Sequence, residues 1–120
     1  MPPDRDAAYL WDMLEYARQA RQIVSGLAFE QYQTDELRKL ATERVLEVIG
    51  EAARKVSPEF KTRHPEIPWQ PIIAQRIVLA HLYGTVDHAK LWDVATVKIP
   101  ELISLLEPLI PPLPPTEQEQ

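Results

Sequence analysis

At 120 residues the chain has room for one domain with a real core and not for two. Apolar residues make up 45%, an ordinary globular share, and the lack of cysteine excludes a disulfide framework and a thiolate zinc site. The net charge of -5 argues against a protein that coats nucleic acid non-specifically. Seven of the 13 Lys and Arg nevertheless fall between Arg38 and Arg63, which leaves room for a local basic groove.

The chain opens MPPDRDAAYL, with Asp4 and Asp6 where a secretory leader needs basic residues and then an apolar run. No apolar run approaches the roughly 20 residues that span a bilayer. The expectation is a soluble, cytoplasmic protein without a membrane partner.

Apolar residues recur at the helical period almost throughout, and period-2 alternation is absent. The expected architecture is all-α, an up-and-down bundle of four main helices and one short one. The first helix is predicted from Asp4 or Asp6 to Val24, with Leu10, Met13, Leu14, Ala17 and Val24 on one face and Gly26 as its stop. The second starts at a Thr34 cap, with Asp35 and Glu36 in its first turn. Its stripe is Leu37, Leu40, Ala41, Val45, Val48, Ile49, Ala52 and Val56. Gly50 inside it signals close approach of a neighbouring helix.

Ser57-Pro58 is an N-cap followed by proline at the first helical position, opening a helix of one or two turns through Phe60 and Arg63. The connector His64 to Pro71 follows, with Pro71 starting a helix that ends at Gly84. Asp87 caps the last helix, which runs to about Glu107 and is kinked by Pro100. From Pro108 to Pro115 five of eight residues are proline. The domain division is therefore a helical unit, 1–107, and a polyproline-type tail, 108–120.

The chemistry concentrates in QRIVLAHLYG, Gln75 to Gly84. Arg76 has apolar neighbours on both sides, so its guanidinium needs an anionic partner or an open groove. A structural ion pair with one of the many glutamates satisfies that need, and so does a groove open to solvent. His81 is the one histidine inside an apolar helix; it suits general acid–base work, and it equally suits an inert helix-end position. His64 and His88 fall at loop and helix-start positions and are expected at the surface. The three histidines lack metal-ligand spacing, so neither a metal nor a cofactor is expected.

Tyr83 follows Arg76 by seven residues, nearly two turns, whereas His81 is offset from Arg76 by about 140°. One helix does not aim all three groups at one point. Two copies packed across a two-fold axis do, which predicts a homodimer. Glu43, Glu47 and Glu51 form a stripe at i, i+4 and i+8; it is a solvated face, or one member orients Arg76 or His81. Trp11, Trp69 and Trp92 are expected in the core or at the dimer seam.

The spacing Arg-x4-His-x-Tyr, here Arg76, His81 and Tyr83, resembles the signature of the HepT-like proteins of the HEPN superfamily. The segment LEVIGEAARKVSPEFKTRHPEIPWQPI (Leu46 to Ile72) is similar to that family's central block. So is YGTVDHAKLWDVATVKIPEL (Tyr83 to Leu102). The resemblance covers roughly Leu10 to Leu106 and implies a dimerising four- to five-helix HEPN-type bundle. It implies the toxin of a toxin–antitoxin system, a metal-independent endoribonuclease whose Arg76 and His81 are catalytic in a cleft shared by two subunits. It implies RNA as substrate, and as partner an MNT-type nucleotidyltransferase antitoxin that transfers AMP to Tyr83.

Two positions depart from the family pattern. Ile77 stands where a polar residue, most often Asn, follows the motif arginine, and Leu82 stands where a small or polar residue separates His and Tyr. With the acidic net charge, Ile77 keeps open an alternative: a catalytically inactive HEPN module that partners a nucleotidyltransferase. A purely structural dimerisation bundle leaves the arginine and histidine without a task.

Overall fold

A computed structural model describes residues 4–81 and 86–110, with side chains over 5–75 and 86–110. Every regular element among the described residues is helical. Helix α1 (Asp4–Val24) runs the length of the bundle and buries Leu10, Met13, Leu14, Ala17, Ala20 and Val24. Gly26 ends this course at φ +78°, a left-handed conformation that glycine adopts without a Cβ clash.

A short helix the periodicity does not reveal follows, α2 (Phe29–Gln33). Five residues are too few to establish a period. Its register is set instead by Gln31, whose side chain accepts from the Ala28 amide at 2.8 Å. Tyr32 and Phe29 pack on Trp92, with ring centroids 5.2 and 5.9 Å away. They form a small second core with Val24, Ile23, Leu27 and Ala95.

Helix α3 (Glu36–Lys55) begins one residue later than the sequence suggests. Asp35, not Thr34, is the N-cap: its carboxylate accepts from the Arg38 amide at 3.1 Å. The Thr34 hydroxyl instead donates to the Glu30 and Gln31 carbonyls at the end of α2. The buried side of α3 is Thr42, Val45, Leu46, Ile49, Gly50, Ala52 and Ala53. Leu37 and Leu40, placed on the same stripe by the sequence reading, are 80% and 53% exposed. Leu40 and Ile49 are nine residues apart, which on a 3.6-residue helix is half a turn of phase, so both cannot face α1.

At the foot of α3, Ser57 caps α4 (Pro58–Arg63), accepting from the Phe60 amide at 3.2 Å, with Pro58 in the first turn as expected. The same hydroxyl donates to Asp6 Oδ2 at 2.6 Å, and the Ser57 amide donates to Asp6 Oδ1 at 2.9 Å. Asp6 is 3% exposed. A carboxylate buried that deeply is tolerated because two short hydrogen bonds replace its water. The start of α1 is thereby tied to the α3–α4 corner.

Helix α5 (Trp69–His81) packs along α3. It starts two residues before Pro71, which sits in the first turn, where its missing N–H has no intrahelical partner to lose. Trp69 holds this start: its indole donates to the His64 carbonyl at 3.0 Å and its ring meets Phe60 edge-on. Asp87 caps α6 (His88–Asp93), accepting from the Lys90 amide at 3.1 Å, as the sequence suggests.

The last helix is not kinked as an α-helix but widened. A π-helical stretch, Val94–Lys98, joins α6 to α7 (Ile99–Leu106), and the Ile99 amide reaches back five residues to the Val94 carbonyl. Pro100 lacks an N–H, and its ring would crowd the carbonyl four residues back, at Thr96. A wider turn ahead of the proline relieves that crowding and keeps Ile99, Leu102, Ile103 and Leu106 in the core. Helices α1 and α3 sit centrally, α7 covering α1 and α5 covering α3. Leu109 and Ile110 still pack against this core, so the first residues of the proline segment lie on the bundle.

Candidate functional site

The backbone of α5 carries two of the three motif positions. Arg76 and His81 are the eighth and thirteenth residues of this 13-residue helix. At 1.5 Å per residue they are about 7.5 Å apart along the axis, and about 140° apart around it. Their side chains, and Tyr83 altogether, lie outside the described residues. What the structure fixes is the platform: Ile72 and Ile73 pack against the main core, and Trp69 anchors the helix at its start.

The cations between Arg38 and Arg63 do not gather into a free basic groove. Five of the seven pair with acids of the same helix or its cap: Arg38 with Asp35, Lys39 with Glu36, Arg44 with Glu47, and Arg54 and Lys55 with Glu51. Such i, i+3 and i, i+4 pairs stabilise a helix slightly and cancel its field. Lys61 donates to the Arg54 carbonyl at 3.2 Å. Burial, and then the neighbouring Arg54 charge, pull its ammonium below the ordinary lysine range.

The glutamate stripe divides. Glu47 and Glu51 have cationic partners on α3 itself. Glu43 instead stands 4.0 Å from His88 Nδ1. The expectation that His88 is a plain surface histidine is therefore corrected: the ring is partly covered and its Nδ1 is fully buried. His64 is likewise tied down, with Nδ1 3.1 Å from Glu66 Oε2 and its ring 4.4 Å from Phe60. Sequence reasoning missed His88 because its partner is 45 residues away on another helix. The i, i+4 spacing of the three glutamates shows only that they share a face.

Tyr32, also unassigned from sequence, is fully buried beside Thr42 and Glu43. Burial pushes its phenol above the ordinary tyrosine value; the Thr42 hydroxyl opposes this and the Glu43 charge adds to it. The Thr42 hydrogen goes to the Arg38 carbonyl at 2.8 Å, and Tyr32 Oη has no hydrogen-bond partner among the described residues. Among the described residues no three His, Cys, Asp or Glu side chains group as a metal site, and no helix is long and apolar enough to cross a membrane.

The model of the family described as ribonuclease HepT-like matches residues 13–109, which spans the bundle from α1 to the end of α7. The chain belongs to the HepT-like ribonuclease family. A Methanocaldococcus jannaschii protein whose name marks it provisionally as an RNase is 34% identical over 109 residues, covering 90% of each chain. A Thermococcus cleftensis protein named "Probable ribonuclease HepT" is 36% identical over 101 residues, 84% of this chain and 92% of that one. A third, from Caldanaerobacter subterraneus and also named provisionally as an RNase, is 34% identical over 94 residues, 78% of this chain and 84% of that one. No solved structure gives a significant match. The all-α bundle is the HEPN-type fold that the motif resemblance implies, and ribonuclease is the activity attached to the family.

Proposed function

We propose that this HepT-like chain is the toxin of a toxin–antitoxin pair: a cytoplasmic, metal-independent endoribonuclease that works as a homodimer. Arg76 and His81 are its catalytic residues. Tyr83 is the site at which an MNT-type nucleotidyltransferase antitoxin attaches AMP. The observation that carries this reading is an intact Arg-x4-His-x-Tyr spacing that runs along α5 and just past its end, inside the segment matched to the ribonuclease family.

The chemistry requires no bound ion. The RNA 2′-hydroxyl attacks the adjacent phosphorus as its proton passes to a base. The 5′-oxygen leaves with a proton, and a 2′,3′-cyclic phosphate remains. A histidine moves the protons and an arginine stabilises charge developing on the phosphoryl oxygens. AMP transfer to Tyr83 joins the phenolic oxygen to the α-phosphorus of ATP and expels pyrophosphate. The added bulk and negative charge then obstruct the RNA path.

Two features support the dimer. The 140° offset of Arg76 and His81 is closed by a second α5 across a two-fold axis. Leu37 and Leu40 leave apolar surface exposed on α3, the helix on which α5 packs. The test is cleavage of RNA by the purified protein in chelator. Wild type is expected to cut and His81→Ala to lose at least about a hundredfold, the range of general acid–base catalysis, with an unchanged unfolding midpoint. Equal cleavage by both defeats the enzyme reading.

Ile77, adjoining Arg76, favours a second reading, an inactive module bound to a nucleotidyltransferase. It requires a stable complex and no growth arrest when the chain is expressed alone. Arrest that depends on Arg76 and His81 excludes it.

A further inference from the structure

Two buried polar side-chain atoms among the described residues have no hydrogen-bond partner, Tyr32 Oη and His88 Nδ1. One of them borders a carboxylate, and the other lies within reach of its field. Nδ1 of His88 is 4.0 Å from Glu43 Oε2, and the Glu43 charge acts on the Tyr32 phenol. Three helices meet here: α2 brings Tyr32, α3 brings Glu43 and α6 brings His88 as its first residue. Glu43 has no Lys or Arg partner among the described residues, unlike Glu47 and Glu51 on the same stripe. A buried donor facing a carboxylate is satisfied by a small rotation that brings the two to hydrogen-bond distance.

We propose that Glu43 and His88 are a positioning pair: the α3 carboxylate accepts a hydrogen bond from His88 Nδ1–H and fixes where the chain leaving the motif helix re-enters the bundle. This rests on the reading of Arg76, His81 and Tyr83 given above. Helix α5 is described as far as His81, and α6 begins at His88. Helix α5 packs on α3, and His88, the first residue of α6, stands against Glu43 of the same α3. Both described helices are therefore referenced to α3. The charged groups near His88 on its own helix are the capping Asp87 and Lys90, whose amide Asp87 holds. Tyr32, on α2, is buried.

The pair is tested with His88→Leu and His88→Asn. The asparagine amide puts an N–H donor close to where Nδ1 stood. His88→Leu is expected to lower kcat for RNA cleavage about tenfold or more with KM nearly unchanged, as displacement of a working group does; His88→Asn recovers most of the loss. Glu43→Leu added to His88→Leu brings little further loss, because both remove one interaction. A readout independent of activity is hydrogen exchange of the Lys90 and Leu91 amides, which bond Asp87 at the start of α6. It rises about tenfold in His88→Leu and returns to the wild-type rate in His88→Asn. If His88→Leu does not fold, Glu43→Ala carries the same measurements. Equal losses in the Leu and Asn variants, additive losses in the double variant, or unchanged exchange overturn the pair. If wild type does not cleave RNA, the proposed function fails, while exchange still decides the pair.

Discussion

Asp6 carries more of this fold than its place near the chain start suggests. Its two oxygens take the amide and the hydroxyl of Ser57, and Ser57 in turn caps α4. Replacing Asp6 by alanine leaves a partly buried amide and hydroxyl without that acceptor. Charge-assisted bonds of this kind contribute about 1.5–3 kcal/mol, so Asp6→Ala is expected to lower stability by about that much, read from urea unfolding midpoints. Asp6→Asn keeps one acceptor and loses less. In the sequence Asp6 is legible only as an acidic residue in a helix first turn. Its true partner is 51 residues away, a distance no local pattern spans. His88 and Glu43 share this property.

At the scale of elements, caps and stops were largely written in the chain. Gly26, Ser57-Pro58 and Asp87 each do what their residue types favour. The start of α3 is the exception. Thr34 and Asp35 both have cap chemistry, and α2, a helix too short to leave a period, takes Thr34 as its own end. Asp35→Ala is therefore expected to cost about 1 kcal/mol of stability by thermal or urea unfolding, and Thr34→Ala clearly less. The π-stretch ahead of Pro100 belongs here as well. A proline inside a helix announces a disturbance, but whether the chain bends or widens depends on which side chains must stay buried. Ile99, Leu102, Ile103 and Leu106 hold their core places, so the chain widens.

For the whole molecule, the proposed function asks how groups about 140° apart on α5 would serve one reaction. The proposed answer, a cleft shared between subunits, makes a specific demand. Arg76→Ala and His81→Ala, each inactive alone, are expected to regain RNA cleavage when mixed and allowed to exchange subunits, because the mixed dimer holds one intact arginine and one intact histidine in the shared cleft. No recovery on mixing, with heterodimer formation confirmed by native mass spectrometry, places both groups in one subunit's site instead. The acidic net charge and the paired cations of α3 bear on the same scale. A surface so neutralised offers little long-range attraction to a polyanion, so the proposed RNA binding would rest on local contacts.

What the sequence determined by itself is the all-α class, most helix ends, the buried side of α1 and the family with its motif. These follow from short-range rules: apolar period, cap chemistry, and the order of residues in a motif. The tertiary structure alone decided which side of α3 is packed, that Leu37 and Leu40 are left outside, that Asp6 binds Ser57, and that Glu43 faces His88. Each of these depends on which helix lies against which, and that is set by burying the most apolar surface across the chain rather than by any residue's neighbours along it.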